Sequence, residues 1–357
     1  MIKYIGSKRR LVPAITRTCR LLTGGRPGVA LDLFSGTSRV GHALKREGWR
    51  VLASDTNAYA HALAACYVQA DRERVLADAT RLLDELRALP PRPGYFTQTF
   101  CERSRFIHPD NGARVDAIRE RIAQLSLDPL LEKVLLVSLM EGADRVDSTT
   151  GVQMAYLKSW APRAHRRLEL RLPDVLPRAS RGPGLAFQGD ALDAAEWFGA
   201  FAPDAGVAYL DPPYNQHSYL GNYHVWETLV RWDKPEVYGV ACKRVDCKTR
   251  KSRFNSRPRI AEAVRELIEA VRARNVILSF SDEGMVSREQ IESMLAERFG
   301  ESPVVLEPED HRYVGAKIGI HNPAGERVGT VGRLRNREYL FVAGKDAARL
   351  RERSVAA

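Results

Sequence analysis

The chain has 357 residues, a formal net charge of +11 and five cysteines, and 44% of its residues are hydrophobic. This length suits one large α/β domain with an insertion, or two domains, and the charge suits a polyanionic partner such as nucleic acid, although many basic chains are simply well solvated. The scattered, odd-numbered cysteines argue against a disulfide framework or a cysteine-based metal site, and no apolar run reaches membrane-spanning length. We therefore expect a cytoplasmic protein with no metal and no membrane partner.

The first predicted elements alternate between helix and strand. A helix over residues 8–23 is followed by a strand, a tight turn and a helix start in residues 29–41, VALDLFSGTSRVG. Residues 49–55, WRVLASD, predict a second strand that ends in an acid, and a helix follows to about residue 70. Strands that alternate with helices in this way favour a parallel sheet.

Residues 72–180 have the pattern of a helical insertion. Apolar residues recur at helical spacing, as in Leu83 and Leu86 or Ile118 and Ile122, and strand signals are absent. The α/β alternation resumes after this region. Its predicted elements are strands at 185–190 and 207–211, a helix at 259–274, a strand at 275–280, a β-ribbon of 313–321 and 328–334, and a last strand at 339–343.

The most informative segment is Asp211-Pro212-Pro213-Tyr214. It follows a buried apolar run, and neither proline has an N–H group for a strand ladder, so the strand must end at Asp211. Ligands bind at this carboxyl edge of open α/β sheets, where a carboxylate, exposed turn carbonyls and an aromatic ring suit a flat heterocycle that bears an amine. A proline-rich turn with a capping aspartate is the simpler alternative.

The turn after the first strand and the acid that ends the second predict a nucleotide-type site. Asp32, Phe34 and Gly36 lie in the turn, and Asp55 has the spacing of an acid that binds ribose hydroxyls. Glycine is lacking at several positions of a dinucleotide-binding G-x-G-x-x-G turn, and Asp32 would repel a pyrophosphate, which argues against a dehydrogenase. An acid at this position suits an amine-bearing ligand such as the amino acid part of S-adenosylmethionine.

Four segments, taken together and in order, resemble the alpha-class, Dam-like DNA amino-methyltransferases. They are residues 3–10, KYIGSKRR; residues 32–36, DLFSG; residues 211–214, DPPY; and residues 278–284, LSFSDEG. The resemblance implies a Rossmann-like methyltransferase sheet, a doubly wound α/β fold, with S-adenosylmethionine as cofactor and an exocyclic base amine, usually adenine N6, as methyl acceptor. Ser38 departs from the family pattern because it replaces the second loop glycine.

The domain prediction follows from this resemblance. Residues 1–71 and 181–345 would form the S-adenosylmethionine-binding catalytic domain, and residues 346–357 a C-terminal tail. Residues 72–180, the helical insertion, would be the target recognition domain.

The predicted cofactor residues are Tyr4, Lys8, Asp32, Phe34, Gly36, Asp55 and Asp190. Of these, Asp55 would bind the ribose diol and Asp190 the adenine amine of the cofactor, with helix capping and a turn as their respective alternatives. For catalysis, Asp211 and the Pro212 carbonyl would accept the two hydrogens of the target amine. Tyr214 would stack on the base after it has been flipped out of the duplex, unless it is a core tyrosine.

The predicted DNA contacts follow the catalytic segment. Asn215, His217 and Tyr219 suit base edges or the gap left by a flipped base. A dense basic segment is predicted to bind phosphates, although a solvated loop would have the same composition; its residues are Lys243, Arg244, Lys248, Arg250, Lys251 and Arg253.

The sequence therefore predicts a site-specific DNA adenine-N6 methyltransferase that acts on double-stranded DNA in the bacterial cytoplasm, with a cognate restriction endonuclease as a possible partner. Adenine is favoured because the catalytic motif begins with Asp211, whereas related cytosine-N4 enzymes more often have serine there. A cytosine-N4 enzyme and a catalytically silent DNA-binding module of the same fold stay open as alternatives.

Overall fold

The structure, a computed structural model, describes residues 1–308, 320–321, 327–329 and 337–354. Its strands are β1 Val29–Asp32, β2 Arg50–Asp55, β3 Leu185–Gln188, β4 Val207–Leu210, β5 Val237–Tyr238, β6 Lys243–Arg244, β7 Asn275–Ser281, β8 Val304–Leu306, β9 Ile320–His321, β10 Arg327–Gly329 and β11 Glu338–Gly344. Seven of these strands form the central sheet in the order β3-β2-β1-β4-β7-β11-β8. The pairs β5–β6 and β9–β10 are separate antiparallel ribbons.

The sheet is parallel from β3 to β7, and β11 runs antiparallel to both of its neighbours. Strands β4 and β7 are buried along their whole length and rich in aliphatic residues, as a strand covered on both faces requires. The strand order reverses between β1 and β4, which is the topological switch point where open α/β sheets bind ligands. The doubly wound α/β prediction is confirmed.

The α-helices surround this sheet and fill the insertion. Their bounds are α1 Val12–Leu22, α2 Arg39–Arg46, α3 Ala58–Ala64, α4 Arg72–Ala88, α5 Pro109–Gln124, α6 Pro129–Arg145, α7 Ala191–Phe201, α8 Tyr219–Asn222, α9 His224–Arg231, α10 Ile260–Ala270, α11 Arg288–Phe299 and α12 Ala348–Ser354. Local signals explain several boundaries. Asp128 caps the start of α6, and Ser287 with Gln290 forms a capping box at the start of α11.

The insertion shares its hydrophobic core with two helices outside it. Phe100 and Leu135 of the insertion pack in one buried cluster with Tyr59 of α3 and Trp226 of α9. Helix α3 follows β2, and α9 follows residues 211–214. The insertion therefore packs against two helices that begin near the carboxyl edge of the sheet. Residues 72–180 thus share their hydrophobic core with helices of the predicted catalytic domain.

Several predicted elements differ from the structure. The helix predicted over residues 8–23 is a 3₁₀ turn at Lys8–Arg10 followed by α1. Helix α11, strand β8 and the β5–β6 ribbon were not predicted. Of the predicted ribbon at 313–334, only β9 and β10 are described, and they pair antiparallel; its remainder lies outside the described residues. None of the helices in the described part of the chain is long and apolar enough to cross a membrane.

Candidate active site

A cavity of about 280 Å³ opens at the carboxyl ends of β1, β2 and β4. Its walls include an aspartate that follows or ends each of these strands, namely Asp32, Asp55 and Asp211, and Asp190 follows β3. The sequence brings these acids together because parallel strands end at the same edge of a sheet. After the roles predicted for these residues, we call the part of the cavity near Asp32 and Asp55 its cofactor half and the part near Asp211 its catalytic half.

Asp55 is held rigidly by its neighbours. One of its carboxylate oxygens accepts hydrogen bonds from the backbone N–H and the side-chain amide of Asn57 at 2.9 and 3.1 Å, and the other accepts from the Gly36 N–H at 3.1 Å. Burial raises the pKa of Asp55 to about 6, although the amides of Asn57 and Gly36 favour its ionised form. The remaining lone pairs of this oriented carboxylate can accept from a pair of hydroxyls.

Asp32 is buried without a hydrogen bond. Its side chain is 1% exposed, and neither carboxylate oxygen receives a hydrogen bond of normal geometry. Burial, followed by repulsion from Asp211, raises the pKa of Asp32 to about 7, and only the nearby Gly41 amide acts in the opposite direction. A buried polar group without a partner is costly, so Asp32 is suited to a ligand that supplies a donor or a positive charge.

The turn between β1 and α2 contains two residues with left-handed backbone. Gly36 has φ of +48°, and a Cβ at its position would lie 3.3 Å from the Tyr4 ring. Ser38, where the family pattern has glycine, also has a positive φ of 58°. A side chain in this conformation is strained, so the chain keeps the glycine-like turn without the glycine. Phe34 completes the turn by packing edge-on against Phe254.

The catalytic half of the cavity centres on an ion-paired lysine. The Lys8 ammonium lies 2.9 Å from Asp211 and 3.1 Å from Glu338, and the Lys8 side chain is 5% exposed. Lys8 lines the cavity, as do the other predicted cofactor residues Tyr4, Asp32, Phe34, Gly36, Asp55 and Asp190. Its charge is directed to the Asp211 carboxylate, a contact that the sequence did not predict.

The rest of the catalytic segment is fixed at the end of β4. The backbone N–H of Met285 donates to the Tyr214 carbonyl at 3.0 Å, and the Tyr214 ring packs against Phe280 with the Lys8 ammonium 5.9 Å from its centroid. Pro212 is buried. The side-chain amide of Asn255 donates to the carbonyls of Asn215 and His217 at 2.7 and 3.1 Å. Asn255 thus supports the loop that follows the motif.

The predicted base-contact residues occupy different positions. His217 is exposed, and the side-chain oxygen of Asn215 accepts from the His217 backbone N–H at 3.0 Å. Tyr219 lines the cavity and stacks on Tyr4, with ring centroids 5.2 Å apart and an interplanar angle of 9°. Tyr4 also stacks on Tyr223 at 4.6 Å. An aromatic cluster therefore joins the N-terminal segment to α8.

Asp190 caps a helix, whereas the alternative predicted for it was a turn. Its carboxylate accepts from the Leu192 N–H at 2.9 Å at the start of α7. The residue also lines the cavity, so the cap does not remove it from the cofactor half.

The structure corrects the prediction for Arg244. This residue is 2% exposed, and its guanidinium donates to both carboxylate oxygens of Asp233 at 2.7 Å and to Asp246 at 3.0 and 3.1 Å. A phosphate would have to enter the fold and displace two carboxylates to reach it. Arg244 therefore stabilises the basic segment and is removed from the predicted DNA contacts.

The other residues of the basic segment are engaged to different degrees. Arg250 pairs with Glu227 at 2.9 Å, and Arg253 forms a two-pronged pair with Glu266 at 2.7 Å. Lys248 lies 4.3 Å from the centre of the Tyr238 ring, and Lys243 contacts the Met154 sulfur at 3.0 Å. Lys251 is exposed at the rim of the cavity. The lysines, unlike the arginines, carry no ion pair among the contacts described.

Sequence reasoning missed several residues that line the cavity. Thr56 and Asn57 follow Asp55 directly, and an asparagine before a helical pattern is a capping signal that could have located them. Arg39, Phe254 and Asn255 also line the cavity. The last two come from a segment that has only a charge pattern in the sequence. Across residues 1–308 and the other described ranges, no cluster of His, Cys, Asp or Glu could hold a metal ion.

Comparison with known proteins gives one family. A sequence model described as D12 class N6 adenine-specific DNA methyltransferase matches residues 4–294. The chain is 29% identical over 314 residues to the Type II methyltransferase M.NlaIII of Neisseria lactamica, and the aligned region covers 85% of this chain and 90% of that protein. It is 27% identical over 310 residues to Modification methylase StsI of Streptococcus sanguinis, and the aligned region covers 83% of this chain and 46% of that protein. The chain thus spans about half the length of StsI and of the Type II methyltransferase M.FokI of Planomicrobium okeanokoites, of which it covers 46%.

Proposed function

The chain belongs to the D12 class of N6 adenine-specific DNA methyltransferases, and from this premise we propose that it transfers a methyl group from S-adenosylmethionine to N6 of adenine at a specific site in double-stranded DNA. The observation that carries the proposal is one cavity with two chemically different halves. Asp32 and Asp55 suit a cationic, hydroxyl-bearing cofactor, and Asp211 suits an amine.

The residues of the cofactor half fit S-adenosylmethionine. Asp32 is a buried carboxylate without a hydrogen bond, and the amino group of the methionine part would provide both a donor and a positive charge. Asp55, oriented by Gly36 and Asn57, would bind the ribose hydroxyls. Asp190 would meet the adenine amine, and Tyr4, Phe34 and Gly36 would enclose the ligand. S-adenosylmethionine supplies an activated methyl group on a sulfonium.

The catalytic half would prepare the acceptor amine. An exocyclic base amine is a weak nucleophile because its lone pair is delocalised into the ring. Asp211 and the Pro212 carbonyl would accept its two hydrogens and direct the lone pair toward the methyl group. In the transfer the amine nitrogen would form its bond to the methyl carbon as the sulfur–carbon bond breaks, and the proton that the amine then loses would pass to Asp211 or to solvent. Lys8, 2.9 Å from Asp211, pairs with that carboxylate and orients it, and Tyr214 would stack on the flipped base.

Adenine N6 is the favoured acceptor because the matching family is adenine-specific. Cytosine N4 presents the same amine geometry, so the site's chemistry alone does not select between the bases. Asp211, the neighbouring Lys8 and the cavity that both residues line are all present, which argues against a catalytically silent DNA-binding module.

The DNA side of the proposal has two parts. We propose that residues 72–180 recognise the target sequence, supported by half-buried basic and aromatic side chains such as Arg105, whose guanidinium lies 4.7 Å from the centre of the Trp160 ring. Asn215, His217 and Tyr219 would be near the flipped base, and Lys243, Lys248 and Lys251 would bind phosphates. Because relatives are named as modification methylases, a cognate restriction endonuclease is proposed as a partner.

The test is methyl transfer to DNA. The purified protein, S-adenosylmethionine and plasmid DNA should yield N6-methyladenine in mass spectrometry of the hydrolysed nucleosides. Asp211→Ala should lower the rate by about a hundredfold or more while calorimetry shows S-adenosylmethionine binding largely retained. Methylated cytosine would favour the N4 alternative, and DNA binding without any methylated base would favour the silent module.

A further inference from the structure

Arg250, in the basic segment, faces the cavity and not the solvent-exposed side of that segment. Arg250 lines the cavity between β2 and α9, and its guanidinium donates to Glu227 at 2.9 Å and to Asp246 at 3.3 Å. Its other terminal nitrogen lies 3.4 Å from the Thr56 carbonyl. Because Thr56 follows Asp55, Arg250 contacts the turn that carries the proposed ribose-binding carboxylate.

Glu227, the ion-pair partner of Arg250, also contacts α3. Its side chain, on α9, is fully buried, and its second carboxylate oxygen accepts a hydrogen bond from the Tyr59 N–H at 3.2 Å. Tyr59 lies in the first turn of α3, the helix that begins after Asn57. Glu227 therefore occupies the position of a carboxylate at a helix N-terminus, where backbone N–H groups favour negative charge.

These contacts form a continuous connection across the cavity. On the cofactor side are the Asp55–Asn57 turn and α3, and on the other side is α9, which follows the catalytic segment and the cavity-lining α8. Glu227 is a residue of α9, and its carboxylate accepts a hydrogen bond from the backbone of α3. Arg250 supplies the positive charge that this buried carboxylate requires and also contacts the Thr56 carbonyl. A shift of α9 would thus move the turn that holds Asp55.

We propose that Arg250 is a positioning residue that joins the cofactor half of the cavity to α9 through Glu227, so that S-adenosylmethionine and DNA strengthen each other's binding. The inference rests on the proposed function, because it assumes that the cofactor occupies the Asp55 side and DNA the α8–α9 side. It replaces the prediction that Arg250 binds a DNA phosphate. Coupling between two ligands is reciprocal, so either one can be titrated to detect it.

The two roles of Arg250 predict opposite results in binding experiments. As a positioning residue, Arg250→Ala should weaken S-adenosylmethionine binding about tenfold or more, the range expected when a charge-assisted hydrogen bond is removed, and should leave the salt dependence of DNA binding unchanged. As a phosphate contact, the same change should lower the slope of log affinity against log salt by about 0.9 and leave S-adenosylmethionine binding intact. The second pattern would overturn the proposal.

The decisive measurement is calorimetric titration of S-adenosylmethionine into the full chain, with and without a duplex that the wild-type protein methylates. The wild type should bind the cofactor more tightly with DNA present, and the ratio of the two affinities should approach one in Arg250→Ala. Arg250→Lys keeps the charge beside Glu227 and should retain most of the ratio. Arg265→Ala is the matched control, because Arg265 pairs with Glu297 on the surface and lies outside the cavity.

A second variant separates positioning from loss of stability. Arg250→Ala leaves Glu227 buried without its counter-ion and can unfold the protein, whereas Arg250→Met with Glu227→Gln removes both charges and keeps the bulk. This double variant should fold, bind S-adenosylmethionine about tenfold more weakly and show a ratio near one. Wild-type affinity and ratio in the double variant would overturn the inference. A wild-type protein that binds no S-adenosylmethionine would instead refute the proposed function.

Discussion

The buried lysine beside the catalytic carboxylate allows the sharpest prediction for the reaction itself. Lys8→Met keeps the length of the side chain and removes its charge. At the observed 2.9 Å, the ammonium and the Asp211 carboxylate attract by about 6 kcal/mol if the effective dielectric constant is about 20. Much of this attraction is offset by desolvation. Removing one partner of a buried pair lowers the free energy of unfolding by about 3–5 kcal/mol.

The catalytic consequence of Lys8→Met differs from its effect on stability. Without the ammonium, the Asp211 carboxylate loses the positive charge that pairs with it and orients it. Asp211 would accept one of the two amine hydrogens and must be correctly oriented to do so, so we expect the methylation rate to fall about a hundredfold at pH 7.

A double variant distinguishes these effects. Lys8→Met with Glu338→Gln removes the excess negative charge and should recover most of the thermal stability, but it should not recover the rate, because Asp211 still lacks its ammonium. Lys133→Met, at a lysine paired with Glu132 outside the cavity, is the matched control. Rates of methylated-base formation by the wild type and the three variants at pH 7, together with their melting temperatures, would test the reasoning. Wild-type turnover in Lys8→Met would refute it.

Three further predictions follow from individual residues. Burial raises the pKa of Asp32 to about 7, so this carboxyl must lose a proton before it can pair with a cationic ligand. The affinity for S-adenosylmethionine should therefore fall about tenfold per pH unit below 7. Calorimetry should show that Asp32→Asn removes this pH dependence. The folded state keeps this proton up to about pH 7, whereas the unfolded state loses it at about pH 4, so stability should decrease as the pH rises from about 4 to 7 and then level off. Asp32→Asn should therefore raise the melting temperature most above about pH 7. Ser38→Gly should stabilise the protein by about 1 kcal/mol because it relieves the left-handed backbone and removes a buried hydroxyl without a partner; a lower melting temperature would contradict this. Neutralising Lys243, Lys248 and Lys251 together should lower the salt slope of DNA binding by about 0.9 for each phosphate that these lysines neutralise in the wild type, and an unchanged slope would exclude them from the DNA interface.

The sequence predicted best those parts of the site that local rules determine. The prolines after β4 require the strand to end at Asp211, and the acids at the ends of β1 and β2 lie at the same edge because the strands are parallel. The structure accordingly lines one cavity with Asp32, Asp55 and Asp211. Helix α11 could have been predicted too, since its Ser287–Gln290 capping box is a local signal.

The roles of charged residues could not be predicted in the same way. Sequence shows that the basic segment is charged but not which carboxylates it meets. Asp233 lies 11 residues before Arg244, and Glu227 lies 23 residues before Arg250. The contact of Lys8 with Glu338 spans 330 residues. Such pairs depend on the packing of distant elements, so a charge pattern alone cannot separate a buried ion pair from a phosphate contact.

The insertion is packed and hydrogen-bonded to helices that reach both halves of the cavity. Gln153 of the insertion donates its backbone N–H to the Asn222 carbonyl at 2.8 Å, and its side chain accepts from the Val225 N–H at 2.9 Å. The insertion is therefore hydrogen-bonded to the junction of α8 and α9, and α9 reaches α3 through Glu227. If residues 72–180 read the DNA sequence, contacts made there would be transmitted to the cavity by elements that are already packed together. A separate recognition domain on a flexible linker could not do this, because its movements would be independent of the Asp55 turn.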